Sequence, residues 1–249
     1  MISRRLFLKG SGAVAAVACP ICRAAIAAEG PHWNYEEAEH WGDLAPDFQA
    51  CGTGTEQSPI DLANPIPSAL GDVTVEWQAA PAVVVNNGHT IQINTAPGST
   101  AQIAGTSYDL LQFHFHHPSE HSVDGRRLTM EAHFVHRAAT GGLAVLGVFL
   151  VSGAENATIA KVWEKLPSGE GEAELDGPID LAPLLPKSRA YYRYAGSLTT
   201  PPCSETVLWT VFAEPVEISE AQIAAFAALY PMNARPIQDI NRRFLLGSF

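Results

Sequence analysis

The chain has 249 residues, 47% of them hydrophobic, with 26 acidic against 15 basic side chains and a formal charge of −11. That is ample apolar material for one sizeable core. So acidic a chain is a poor binder of nucleic acid and is repelled by anionic lipid surfaces, and no run of about 18 apolar residues is present to span a membrane.

The first stretch reads as an address. Ser3-Arg4-Arg5-Leu6-Phe7-Leu8-Lys9 sets twin arginines before the apolar stretch 12–18, and Ala25-Ile26-Ala27 offers a small-x-small cleavage site. The pattern resembles a twin-arginine export signal, with an ordinary secretory signal as the alternative. Residues 1–27 are set aside from the fold on that ground, leaving 28–249 as one domain in the periplasm or outside the cell. Losing Arg4, Arg5, Lys9 and Arg23 takes the formal charge to about −15. Cys19 and Cys22 fall inside the leader, where their C-x-x-C spacing carries little redox meaning. Cys51 and Cys203 remain. Two cysteines in an exported chain favour one disulfide, with two free thiols as the alternative.

His32-Trp33-Asn34-Tyr35 and Glu39-His40-Trp41 mix aromatics and histidine without a clean period, which predicts loops packed on the body. Cys51–Asp61 is turn-rich. Strand patterns follow at Val73–Trp77, Ala82–Asn86 and Thr90–Asn94, with Asn87-Gly88 as a hairpin signal between the last two. Gln102–Ile103 and Ser107–Leu111 continue the β pattern. Leu143–Val151 is almost wholly apolar, as suits a strand covered on both faces. Asn156 is placed to cap a short helix to about Leu166. Residues 167–186 are rich in Gly, Pro and acid, which predicts loop with one helical turn at most. Tyr191–Leu198 and Val207–Val216 read as strands. Ser219-Glu220-Ala221-Gln222 is a capping-box signature opening a helix to about Leu229. The tail 233–249 reads as irregular. Strands dominate and helices do not alternate with them, so the expected fold is mainly β, one domain on a large antiparallel or mixed sheet.

The chemistry concentrates between Gln112 and His136. In a strand, side chains alternate faces, so Gln112, His114 and His116 point one way and Phe113 and Phe115 the other. Asp124-Gly125 signals a turn, after which Glu131, His133 and Val135 share a face. A lone strand histidine is usually a core or surface residue with a satisfied hydrogen bond. A His-x-His pair beside a third histidine can instead reach one ion, and three imidazoles with an open position describe a catalytic zinc site. Cobalt and iron are also compatible with that ligand type.

Taken in order, Gln57-Ser58-Pro59-Ile60-Asp61, Asn86-Asn87-Gly88-His89, Gln112-Phe113-His114-Phe115-His116, Ser119-Glu120-His121, Glu131-Ala132-His133, Ser197-Leu198-Thr199-Thr200-Pro201-Pro202 and Asn233-Ala234-Arg235-Pro236 resemble an α-class carbonic anhydrase of the exported bacterial kind. The resemblance spans His32 to Pro236. It implies a central twisted, mostly antiparallel sheet of about ten strands with short peripheral helices. It implies a zinc ion held by His114, His116 and His133, on which hydroxide forms and attacks CO2 to give bicarbonate.

Further roles are implied position by position. Thr199 and Glu120 would orient the hydroxide. Gln112, Glu131 and the carbonyl of Asn233 would hold the ligand rings. Val135, Val145, Leu198, Thr200, Val207 and Trp209 would line the CO2 pocket, although without the resemblance the apolar ones would read as ordinary core. His89 would shuttle protons along waters ordered by Tyr35, Asn87 and Gln92. His121 would brace Glu120, His117 and His136 would lie off the metal face, and Cys51 would pair with Cys203. The implied partner is CO2 or bicarbonate, with no nucleic acid and no membrane span; a homodimer is left open. A zinc esterase on the same scaffold and a non-catalytic binding module are the competing readings, and loss of a ligand would mark the latter.

Overall fold

The computed structural model describes residues 31–249; residues 1–27, read above as a leader and carrying Cys19 and Cys22, lie outside the described residues. Fourteen strands are described, in order β1 (Ile66–Pro67), β2 (Thr74–Glu76), β3 (Ala82–Asn86), β4 (Ile91–Thr95), β5 (Thr100–Ile103), β6 (Thr106–His116), β7 (Ser122–Val123), β8 (Arg126–Arg127), β9 (Met130–Ala138), β10 (Leu143–Ser152), β11 (Gly171–Glu174), β12 (Tyr191–Gly196), β13 (Val207–Ile218) and β14 (Leu246–Gly247). The helices α1 (Trp41–Leu44), α2 (Ala50–Thr53), α3 (Ala157–Trp163) and α4 (Glu220–Ala227) are short.

One mixed sheet dominates, in the order β1-β14-β12-β13-β10-β9-β6-β4-β3-β11, with β5 bridging β2 to β6. Its pairs are antiparallel except β10 with β13 and β1 with β14. The expected mainly β class is therefore observed, and the sheet, expected at about ten strands, has ten along its main path and twelve with β2 and β5. Long β10 sits centrally between β9 and β13, and its apolar run serves both faces. Ala144, Leu146, Val148 and Leu150 enter one core with Phe113, Phe115 and Phe134. Val145 and Phe149 enter the other with Val135, Val207 and Trp209. Each such fully buried side chain contributes roughly 1.5–3 kcal/mol.

A bulge decides which face receives the histidines. Along β6 and β9, Leu110 pairs with His136 but Gln112 pairs with Val135, leaving Leu111 as an extra residue. Tyr108 and Leu110 lie in the first core, and after the bulge Phe113 and Phe115 do. The side-chain parity has flipped, so Gln112, His114 and His116 emerge on the opposite face.

Several expectations need correction. Asp124-Gly125 turns the tiny β7–β8 hairpin, not the connection between the metal strands directly. Residues 171–174, expected as loop, form edge strand β11 on β3. The acids there disguised it, because charge on an edge strand guards against further pairing. The tail contributes β14, through Gly247 and Leu246 against Tyr192 and Arg193. Both helix-capping readings hold. The Asn156 side chain accepts from Thr158 and Ile159 N–H, and Ser219 with Gln222 forms a full capping box.

Cys51 and Cys203 form a disulfide with Cα atoms 5.0 Å apart and a sequence separation of 152. Such bonds persist in oxidising compartments outside the cytoplasm. Closing so long a loop contributes about 4–5 kcal/mol in the chain-entropy model. Cys51→Ser is expected to lower the melting temperature clearly while the metal stays bound; an unchanged melting curve would remove the disulfide's structural role.

His136 lies off the metal face, as expected. Its Nδ1 donates to the carbonyl of Phe134 at 2.8 Å, and Trp77 Nε1 donates to its Nε2 at 3.2 Å. Burial, partly offset by the hydrogen bond to Phe134, pushes the imidazole down to about 4. The unfolded chain takes up this proton first, so stability is lost as pH falls from about 6.5 to about 4, by roughly 3 kcal/mol. Urea unfolding at pH 7 and pH 4.5 tests this: His136→Gln should lose distinctly less stability over that interval than the parent, and parallel losses would contradict it.

Candidate metal centre

Three imidazoles converge where β6 and β9 lie side by side. His114 and His133 are direct cross-strand partners, and His116 opposes Glu131 in the same ladder. Ring centroids stand 5.0 Å apart for His114 and His116, 5.4 Å for His114 and His133, and 4.5 Å for His116 and His133. One nitrogen from each ring lies within 4.8 Å of the other two.

The remaining nitrogen of each ring meets an acceptor. His114 Nδ1 donates to Gln112 Oε1 at 2.9 Å, and His116 Nδ1 donates to the Asn233 carbonyl at 2.8 Å. His133 Nε2 lies 3.0 Å from Glu131 Oε1, at an angle poorer than an ordinary hydrogen bond. Acceptors so placed fix the tautomers and leave Nε2 of His114, Nε2 of His116 and Nδ1 of His133 as lone pairs. His116 Nε2 is fully buried with no hydrogen-bond partner. A buried, unpaired lone pair is costly unless it meets a cation, so the donor set fits zinc, whose catalytic sites favour three nitrogen ligands. Burial, followed by the neighbouring imidazoles, holds His114 well below the usual histidine range; burial likewise lowers His116. Both rings are thereby kept neutral, the form a metal requires.

Glu131 is the hub behind these rings. Its Oε2 accepts the backbone N–H of Glu120 and of His121 at 2.9 Å each, and His121 Nδ1 donates to Oε1 at 2.8 Å. Burial pushes its carboxyl up, but the charges and hydrogen bonds of His121 and His133 outweigh that and hold it well below the usual carboxylate range. Gly147 pairs with His133 on β10, and a Cβ there would come within 2.9 Å of Glu131 Oε1. The expected job of His121 is corrected here: its ring braces Glu131, not Glu120, and its Nε2 reaches the Tyr194 hydroxyl at 2.6 Å.

Glu120 Oε1 accepts the backbone N–H of Arg235 at 2.8 Å. Its Oε2 lies 3.6 Å from His116 Nε2 and 3.8 Å from His133 Nδ1, buried and without a hydrogen-bond partner. Thr199 is buried in the loop that ends at Cys203. The expected donation from its hydroxyl to Glu120 Oε2 is not formed, since that oxygen has no hydrogen-bond partner.

The expected walls assemble on the same face. Val145 pairs with Val135 on one side and Trp209 on the other. Val207 joins their cluster, Leu198 packs against it, and the Trp209 ring stands 4.8 Å from His133. Thr200 is half-buried beside Thr199. Nearer the rim, half-buried His89 stacks on Trp33 with centroids 3.7 Å apart and planes 6° from parallel. Tyr35 is buried against Trp33 and Trp41; burial, then the charge of Glu120, raises its phenol well above the ordinary value. Gln92 pairs across the ladder with His114 and donates to Asn94 Oδ1 at 2.7 Å. Asn87 is exposed, and its Oδ1 accepts from the N–H of His89 and Thr90, so its carbonyl serves the hairpin. His117 stays apart from the triad and donates from Nδ1 to the Pro231 carbonyl at 2.9 Å.

Three contributors escaped the sequence reading. The Asn233 side chain, beyond its carbonyl, accepts His117 N–H at 2.7 Å and donates to the Phe115 and His89 carbonyls at 3.0 Å each. Arg235 is buried and donates to Gln57 Oε1, the Ser58 carbonyl and the Cys51 carbonyl. Trp33 supports His89. The Asn-Ala-Arg-Pro motif flagged the first two positions without revealing what they hold.

Residues 36–248 match the profile of the family described as eukaryotic-type carbonic anhydrase. The chain is 45% identical over 225 residues to a carbonic anhydrase of Nostoc sp., covering 86% of this chain and 85% of that one. It is 40% identical over 231 residues to a carbonic anhydrase of Pectobacterium carotovorum, covering 91% and 95%. Among solved structures, the α-carbonic anhydrase of Thermovibrio ammonificans, in complex with the inhibitor sulfanilamide, superposes with a TM-score of 0.85 at 45% identity, over 87% of this chain and 99% of that one. With a profile match over most of its length and a histidine triad built to hold zinc, the chain belongs to the carbonic anhydrase family and is a carbonic anhydrase.

Proposed function

We propose that the residues around the triad divide the reversible hydration of CO2 to bicarbonate and a proton among themselves. The observation that carries this reading is the buried, unpartnered Nε2 of His116 beside two further imidazole nitrogens. Zinc bound by His114, His116 and His133 supplies a Lewis acid that lets water ionise near neutral pH. Gln112, the Asn233 carbonyl and Glu131 keep the rings in the ligating tautomer. Glu120 presents its free Oε2 toward the ligating nitrogens, and in the zinc-loaded enzyme that oxygen would accept a hydrogen bond from the Thr199 hydroxyl. Thr199 is then left as an acceptor toward the nucleophile and sets its direction. Val135, Val145, Leu198, Val207 and Trp209 give the small apolar substrate walls without charge, with Thr200 at the edge. His89 carries the released proton to solvent, because imidazole titrates near neutral pH; its seat on Trp33 supports an outward pose. Tyr35, Gln92 and the Asn87 amide nitrogen offer polar groups between His89 and the metal.

Export completes the reading. The Arg4-Arg5 pair supports a twin-arginine route to the periplasm, and the disulfide supports an oxidising destination. No described helix is long and apolar enough to cross a membrane. Assembly as a homodimer belongs to the same proposal, and sedimentation at micromolar concentration decides it.

Stopped-flow CO2 hydration with parallel metal analysis tests these roles. His114→Ala should lose both zinc and activity; full zinc content would refute the ligand assignment. Thr199→Ala should keep its zinc and lose activity by about 100-fold, and an unaltered rate would remove the orienting role. His89→Ala should slow turnover in dilute buffer and recover with added imidazole. Indifference to buffer concentration would rule out the shuttle.

A further inference from the structure

A cavity of about 660 Å³ opens beside the end of β12, under the C-terminal stretch that leads to β14. Arg193, Arg242, Arg243, Leu208 and Phe244 line it, with Glu56 as the one acid in the lining. It shares Tyr194 with the network behind Glu131 but none of the zinc ligands or pocket walls. We propose that this cavity binds a small organic anion, a carboxylate bearing a short apolar tail.

Arg193 is only 6% exposed, yet no carboxylate pairs with it among the described residues. Its Nε and Nη2 both donate to one acceptor, Thr210 Oγ1, at 3.3 and 3.2 Å, and its guanidinium lies 4.6 Å over the Tyr191 ring. Nη1 donates to no described group. Burial lowers its pKa, and no carboxylate is among the groups that offset this. A guanidinium so enclosed is ordinarily paired with a carboxylate or phosphate. Among the described residues none pairs with Arg193, and its Nη1 is not sealed off, so an anion in the cavity it lines has a donor to meet.

The walls repeat the charge sign. Arg243 is fixed in place by donating Nε to the Ile240 carbonyl, Nη1 to the Ala195 carbonyl and Nη2 to the Asp239 carbonyl, and it covers the Tyr194 ring at 5.5 Å. Arg242 is exposed. Three guanidinium groups against a single lining carboxylate reverse locally the charge of a chain that is −11 overall. A planar carboxylate matches a guanidinium edge in geometry as well as charge. Leu208, on the same face as Arg193 by register, and Phe244, 70% exposed, supply the apolar side for a tail. Cavities of this size and mixed lining are the usual seats of small ligands.

Calorimetric titration of the zinc-loaded protein, with its metal site saturated by a sulfonamide, tests this site with sodium hexanoate, hexanamide and sodium sulfate. Hexanoate should bind at one site, at least about tenfold more tightly than either control. Arg193→Gln should weaken hexanoate by about tenfold or more, and Arg242→Ala and Phe244→Ser, both at exposed positions, by about threefold each. The rate of CO2 hydration should be unchanged in all three variants. Equal binding of hexanamide or sulfate, no hexanoate binding at tens of millimolar, or unaltered affinity in Arg242→Ala and Phe244→Ser would overturn the proposal. These last two variants decide the matter even if Arg193→Gln fails to fold.

Discussion

The buried carboxylate of Glu131 is the constraint on which the metal centre depends. It gathers three hydrogen-bond donors around two oxygens, the N–H groups of Glu120 and His121 and the His121 ring, and the His133 ring stands 3.0 Å away. Such a carboxylate stays ionised because the charges of the neighbouring His121 and His133 rings, together with the hydrogen bonds it accepts, offset its lost hydration. Its ionised state then dictates which nitrogen of His133 carries the proton, and so which one is free for zinc. The same group fixes the backbone of the Glu120–His121 turn, so the orientation of a ligand and the placement of Glu120 share one anchor. Buried networks of this kind are strong when complete and fragile when any member is lost.

Two devices deliver that anchor to the right place. The bulge at Leu111 switches face parity midway along β6, so aromatic residues on one side and imidazoles on the other come from a single continuous strand. The C-terminal stretch then clamps the end of β6. Asn233 holds His116, His117 and Phe115 together, while Arg235 ties Glu120 to the Cys51 and Ser58 segments. The disulfide joins Cys51 to the loop carrying Thr199. Four separate stretches of the sequence thus meet through side chain to backbone hydrogen bonds and the disulfide.

Much of this was legible in advance, for physical reasons. Period-two alternation in β6 and β9 put the three histidines on one face and the apolar run marked β10 as a covered strand, so the triad could be read from spacing, whereas the walls came from the resemblance alone. Strand β11 was illegible because its Glu-Ala-Glu pattern reflects an exposed edge and not a core. The bulge was hidden inside Leu110-Leu111, two apolar residues that give no sign of a parity change. The partner of His121 depends on a register that brings Glu131 beneath it, and the burial of Arg235 depends on contacts more than a hundred residues away. The cavity around Arg193 belongs to the same class: a lone arginine in a strand reads as surface until its neighbours are known.

The central claim is that acceptors behind the rings select Nε2 of His114, Nε2 of His116 and Nδ1 of His133 as the metal donors. Diffraction from crystals of the zinc-loaded protein, with anomalous data at the zinc edge, tests it most directly. The account predicts a single zinc peak about 2.0–2.1 Å from those three nitrogens, with Glu131 still against His133 Nε2. A peak bound through His133 Nε2, or a fully occupied zinc outside the triad, would contradict it.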